Sequence, residues 1–389
     1  LLPGTRADRY RRQIATTRPR TLSTLELNRA LLARQHLLKR KRFSVPKMLD
    51  AVAGLQTQEP RDAFVALWSR ITDFDEQKLR DASARREIVR GSNLRCTIHT
   101  VAADDFLRFR STLSAVIERD TANWRDRYTG LDIPKVTKAV RELLSDDEPR
   151  TARQIGDALQ EQFPKVNREG LSHCARIHVP VVMTPTDDRW GYSRPPKLML
   201  SDRWFDEPLR ARDALGELLL RGIAAIGPAS TADLRTWSGM PGVREALEPH
   251  LSELKVFRDE AGRELYDLPD APRPRGDTPA PIRFLGEYDN VALSHADRER
   301  IVDAADAKLF NFSKNGRRAF TILIDGRVRA SWQLTVKKKV ATLTLMPFHK
   351  ESNATLDELA AEGQHFVEYM EPSAESYAVE FAKTDLRTS

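Results

Sequence analysis

The hydrophobic period of this chain changes once, after the Pro- and Arg-rich stretch Asp270–Gly276, and that change limits what it can fold into. Upstream, apolar residues recur at helical spacing in segment after segment, each series closed by a short β-branched run. Downstream, Phe320, Ile322 and Ile324 alternate up to Asp325-Gly326, a hairpin signal, and Val328, Ala330, Trp332 and Leu334 alternate away from it. The pattern predicts an α+β chain, with helices and small hairpins first and an antiparallel sheet after them.

The upstream part reads as a weak threefold repeat. Leu27, Ala30, Leu31 and Leu38 mark a helix over 24–38, and Met48, Leu49, Val52 and Leu55 mark another running to Gln56. Helices over 62–71 and 75–86 follow, then a hairpin over 88–101 that turns at Gly91-Ser92-Asn93. Helices followed by a hairpin are the parts of a winged helix. A helix from Asp104 to about Trp124 comes next. The list recurs with helices over 134–145 and 166–178, a capping box at Thr151–Gln154, and Val181–Met183 facing Trp190–Tyr192. It recurs again with helices over 209–226 and 243–254, a cap at Ser230, and a hairpin around Ala261-Gly262. The expected organisation is a basic disordered arm (1–22), three tandem winged helices (23–127, 128–205, 206–270) and a C-terminal antiparallel β domain (271–389). Its third strand runs from Val340 to Met346, and a helix over 357–370 closes it.

Charge separates the arm from the rest. Residues 1–44 hold 12 Lys or Arg against two acids, whereas the remainder holds 51 against 54, so the overall charge of +7 is a local property. That arm can neutralise phosphates or simply solubilise the chain. No run reaches the apolar length of a membrane span, and the chain is expected to be soluble and cytoplasmic. Cys96 and Cys174 are the only cysteines, so no CxxC pattern exists, and His173, Cys174 and His178 lack a fourth ligand. There is no GxSxG, Walker A, GxGxxG or HExxH motif, and no metal or cofactor is expected.

The chemistry lies in Leu55-Gln56-Thr57-Gln58-Glu59-Pro60. Residues i and i+2 diverge on a helix but share a face in extended chain, so Gln56 and Gln58 converge only where the helix has ended. Pro60 disfavours helical geometry at Glu59 and places that end at the motif. A polar helix end is the bland alternative. Glu59 and Asp62 are nearby carboxylates able to serve as a base, with a helix-start or surface role the expectation for each.

Several separated motifs resemble those of the bacterial winged-helix DNA glycosylases of the AlkZ and YcaQ type. They are Leu27-Asn28-Arg29-Ala30 with Arg34-Gln35, Gly54–Gln58 with Trp68-Ser69-Arg70, Leu94–His99, and Phe284–Asn290 running into Leu293–Arg298. The Asp325-Gly326 hairpin, Trp332 and the exit Pro347-Phe348 also fit. The resemblance covers about residues 25–372 and implies a C-shaped arrangement that takes double-stranded DNA carrying alkylated bases, as a monomer. It makes Gln56 and Gln58 the catalytic pair and suggests that Ser294, His295 and Arg298 contact DNA. In the family the residue between the two is apolar, and Thr57 departs from that; Cys96 stands where Gly is usual. Arg95 and His99 are candidates for lesion or phosphate contact, or for a structural hydrogen bond. Lys314, Arg317 and Arg318 are candidates for gripping phosphates. The competing reading is a non-catalytic winged-helix regulator, but three different units in one chain and no long heptad segment count against it.

Overall fold

The computed structural model describes residues 19–210, 212–310 and 319–382. Lys314, Arg317, Arg318 and most of the 1–22 arm lie outside the described residues. Helix α1 (Thr24–Arg34) opens on a capping box in which Ser23 accepts from the Glu26 N–H and Glu26 accepts from the Ser23 N–H. Just before it, Leu22 is buried and its N–H donates to Arg258 O, so the end of the expected arm is pinned to the body.

The chain then runs through one order of elements three times: helix, short strand, two helices, hairpin. The first copy is α2 (Val45–Ala51), β1 (Leu55–Gln56), α3 (Arg61–Trp68), α4 (Glu76–Ala84), β2 (Ile88–Ser92) and β3 (Ile98–Ala102). Helices α5 (Ala103–Phe109) and α6 (Ser114–Asn123) lead to the second. It comprises α7 (Ile133–Leu143), β4 (Arg150–Thr151), α8 (Ala152–Leu159), α9 (Arg168–Ile177), β5 (Val181–Met183) and β6 (Lys197–Leu200). After α10 (Ser201–Phe205) the third has α11 (Leu215–Ile226), a single bridge at Ala229, α12 (Thr231–Ser238), α13 (Val243–Leu247), β7 (Lys255–Arg258) and β8 (Glu264–Asp267). In each copy the short first strand pairs with the last strand of the hairpin: β1 with β3, β4 with β6, Ala229 with Tyr266. The Arg90–Met183 pairing fuses the first two sheets into six strands ordered β1-β3-β2-β5-β6-β4.

The period-two region contains β9 (Arg283–Phe284), α14 (Asn290–Leu293), α15 (Ala307–Phe310), β10 (Thr321–Ile324), β11 (Arg327–Lys337), β12 (Val340–Pro347), α16 (Asn353–Met370) and β13 (Ser376–Phe381). Its sheet runs β13-β12-β11-β10-β9. The pairings are antiparallel except that β13, a strand beyond the expected closing helix, returns parallel to β12. Phe366 and Val367 of α16 pack with Phe284, Ile322, Trp332 and Leu343 beneath that sheet. Among the described residues no helix is long and apolar enough to cross a membrane.

Several expected elements are corrected. Helix α2 ends at Ala51 rather than at Gln56, because Ala53 and Gly54 take φ of 55° and 81° and turn the chain into β1. A side chain at Gly54 would meet Val101 Cγ1 at 2.6 Å, so this turn requires glycine. The helix expected over 104–124 is interrupted by a 3-10 turn at Arg110–Leu113. The hairpin partner of β5 is β6, not Trp190–Tyr192; Trp190 instead packs edge-on against Phe64 with ring centroids 5.1 Å apart.

Candidate active site

The two glutamines sit where the extended chain replaces the helix. Leu55 pairs with Thr100 and Gln56 with His99, and the Thr57 N–H continues the ladder to Ile98 O at 2.9 Å. β1 ends at Gln56, Thr57 keeps one further ladder bond, and Gln58 lies at the bend that follows, so the two glutamines flank the end of the strand. Thr57 is fully buried, Gln56 almost so, and Gln58 partly exposed. The polar middle residue has a partner: Thr57 Oγ1 lies 2.9 Å from Thr100 Oγ1, itself buried on β3. Thr57→Val alone then strands the Thr100 hydroxyl and lowers stability by about 1–3 kcal/mol, whereas adding Thr100→Val restores most of it. Thermal melts of the two variants check this.

Gln56 is held by its oxygen. Arg95 Nη2 donates to Gln56 Oε1 at 2.7 Å and Arg95 Nη1 to Trp237 O, so one guanidinium ties the motif to the end of α12. No described residue hydrogen-bonds to the Gln56 NH2 end. Both Arg95 and Cys96 have φ of 56°, the left-handed region where glycine carries no penalty. Cys96 therefore occupies a strained position that favours glycine. His99 is buried; its Nδ1 donates to Thr97 O at 3.0 Å, and its Nε2 lone pair lies 3.4 Å from Arg95 Nη2. Burial and then Arg95 push its pKa down to about 3, so at neutral pH it is uncharged and offers no cation to a phosphate. Gln58 is the less constrained amide. Its Oε1 meets the Ile98 N–H only at 3.4 Å, and its NH2 has no partner among the described residues.

Asp62, expected at a helix start or at the surface, is in the first turn of α3 but lies inside. Its Oδ2 accepts the Glu59 N–H at 2.9 Å. Burial raises its pKa to about 7; the Glu59 N–H opposes that rise and nearby Glu287, also buried, adds to it. Arg90 on β2 was also missed. Its guanidinium donates to Thr57 O at 3.2 and 3.0 Å and to Gln58 O at 2.9 Å. A local helical or β pattern marks a buried face but not which backbone atoms a buried Arg or Asp will meet.

Behind the motif, on the Thr57 and Thr100 side, a cleft of about 580 Å³ is lined by Pro60, Phe64, Arg80, Thr100, Trp190 and Tyr192. Neither glutamine lines it. Exposed Arg119 stands beside Arg95 at the motif's edge: both lie within 3.2 Å of where a Cβ on Gly239 would be.

The remaining motif residues form a buried frame. Asn290 Nδ2 donates to Gly54 O at 2.8 Å and Val52 O at 3.2 Å, fixing the turn into β1. Arg70 and Asp289, both fully buried, form a bidentate pair at 2.7 and 2.8 Å, and Arg34 pairs in the same way with Asp267. Asn28 donates to Arg300 O and Gly326 O, both at 2.7 Å, and Arg29 reaches Asp325. Ser294 and His295 belong to this frame too. Ser294 Oγ donates to Asn290 O at 2.6 Å, His295 Nε2 donates to Ile226 O at 3.0 Å, and both are buried. The DNA contact expected of those two has no exposed surface to make it from; Arg298 beside them is half-buried.

The AlkZ-like DNA glycosylase family matches residues 49–369, which include the glutamines and the downstream half of the frame. The fold is similar to that of Streptomyces sahachiroi DNA glycosylase AlkZ, with a TM-score of 0.74 and 16% identity, covering 93% of this chain and 100% of that one. No curated protein matches the chain in sequence. With a match over most of its length, the chain belongs to the AlkZ-like DNA glycosylase family.

Proposed function

We propose that the chain is a monofunctional DNA glycosylase hydrolysing the N-glycosidic bond of alkylated purines, with Gln56 and Gln58 as its catalytic residues. The observation that carries the reading is that the two amides flank the end of β1, Gln56 anchored through its oxygen to Arg95 and Gln58 partly exposed with one long hydrogen bond. An amide has no proton to exchange near neutral pH, so it positions water or stabilises charge but does not act as a strong base. Such a site suits a leaving group that is already activated. Alkylation at purine N7 or N3 makes the base cationic and weakens its bond to C1′. Gln58, the freer amide, orients the attacking water. Gln56, held through its oxygen, offers its NH2 to the lesion. The motif supplies no lysine for a Schiff base, so the product is an abasic site, and no metal takes part.

The order helix, strand, helix, helix, hairpin supports reading the three copies as winged helices over 23–127, 128–205 and 206–270, arranged as a C around a duplex, ahead of a β domain over 271–389. A partly exposed Gln58 that lines no deep cleft suits bulky adducts, including interstrand crosslinks, without a base being drawn into a deep pocket. Arg119 and Arg95, with Lys314, Arg317 and Arg318, supply phosphate contacts. The protein works as a cytoplasmic monomer in repair of alkylation damage or in self-resistance to a DNA-alkylating antibiotic. The test is incubation with duplex carrying 7-methylguanine or a nitrogen-mustard crosslink, followed by alkali. Strand breakage at the lesion is the expected result. Binding without breakage makes the chain a non-catalytic DNA-binding protein or regulator instead.

A further inference from the structure

We propose that Arg90 and Asp62 are positioning residues of this site, gripping opposite edges of the single peptide group between Gln58 and Glu59 and so fixing the direction in which Gln58 projects its amide. The inference rests on the glycosylase reading for its effect on rate, but not for its geometry. In a trans peptide the C=O and N–H point in opposite directions. Here the Gln58 carbonyl accepts from Arg90 Nη2 at 2.9 Å, and the Glu59 N–H donates to Asp62 Oδ2 at 2.9 Å. The same Arg90 holds the preceding carbonyl, Thr57 O. Both side chains are buried, Arg90 with its ring of contacts completed by Met183 Sδ and the face of Tyr192. Rotation of that peptide would break hydrogen bonds on both edges, so the Gln58 backbone is set by side chains of β2 and α3 rather than by its own ladder, which ends at Thr57.

Asp62 also makes the grip sensitive to protonation. Its Oδ1 is buried without a hydrogen bond. The charged groups facing it are Glu59 and Arg61 from its own segment, Glu287 from the turn after β9, and Arg90 from β2. An ionised carboxylate accepts the Glu59 N–H more strongly than a neutral acid does. With its pKa lifted to about 7, Asp62 loses that charge as pH falls through neutrality.

The test uses the full chain with Asp62→Asn, which keeps the shape and an acceptor but removes the charge. Single-turnover excision of 7-methylguanine is measured from pH 6 to 8.5 at saturating enzyme, with duplex affinity and hydrogen exchange at the Glu59 amide. Wild type should speed up as pH rises through about 7. Asp62→Asn should be slower by roughly 10-fold to 100-fold at pH 8 with a flattened profile, unchanged affinity and faster Glu59 exchange. Arg90→Lys, which cannot span both carbonyls, should slow excision without altering the position of the pH inflection. A wild-type rate and profile in Asp62→Asn overturns the proposal. If wild type excises nothing, the glycosylase reading fails, and amide exchange alone decides the grip: unchanged protection in Asp62→Asn overturns it, and lost protection upholds it.

Discussion

Gln58→Ala should slow excision by about 10²–10³-fold while duplex affinity stays within about threefold. Gln58 is partly exposed, makes one long hydrogen bond through its side chain and packs in no core, so its truncation removes chemistry rather than structure. Gln56→Ala should differ in kind. Gln56 is nearly buried and satisfies Arg95, so its loss frees a guanidinium that also holds Trp237 O, and affinity should fall together with rate. Single-turnover rates and binding isotherms on one lesion-bearing duplex separate the two. Full activity in Gln58→Ala would remove it from the mechanism even if the enzyme class stood.

The second large effect is on stability. Asp289→Ala leaves the Arg70 guanidinium, which is 0% exposed, without its counter-charge. Breaking a buried pair from one side costs about 3–5 kcal/mol, because the remaining charge stays desolvated. Asp289 also caps α14 by accepting the Val291 N–H at 3.2 Å, which adds to the loss. The melting midpoint should drop sharply in Asp289→Ala, and Arg70→Met in the same chain should recover part of the drop by removing the orphaned charge. A single variant that melts like wild type would mean that Arg70 finds water or another partner. The consequence for the site is direct, since Asn290, next in sequence, holds Gly54 O and with it the turn into β1.

How much of this could be read from the sequence depended on range. Pro60 is enough to expect that the helix has ended by Gln58, though it ends five residues before Gln56, and Asp325-Gly326 places its hairpin at the observed turn. The threefold order of helices and hairpins was also legible. Its short first strands were not: β1 and β4 have two residues each and the third copy has only the Ala229 bridge, too few for a period to show. The sequence pattern overextends helix α2 because Val52 and Leu55 stay apolar past its end, although they belong to the turn and the strand. The motif residues around Asn28, Arg34, Arg70 and Asp289 stood out as a resemblance, but their physical role did not, because each partner lies far along the chain. The resemblance suggests DNA contact for Ser294 and His295, and local sequence does not reveal that they are buried with hydrogen bonds to Asn290 O one turn back and to Ile226 O from α11.

Two neutral amides should cleave only a glycosidic bond whose base is already charged. The most direct measurement is single-turnover base release from one duplex sequence carrying, at the same position, either 7-methylguanine or a neutral damaged base such as 8-oxoguanine. The cationic lesion should be released at a readily measured rate and the neutral one at no more than background, with similar affinity for both duplexes. Comparable release of the neutral base would contradict the claim, because it would require an acid or base that Gln56 and Gln58 do not supply.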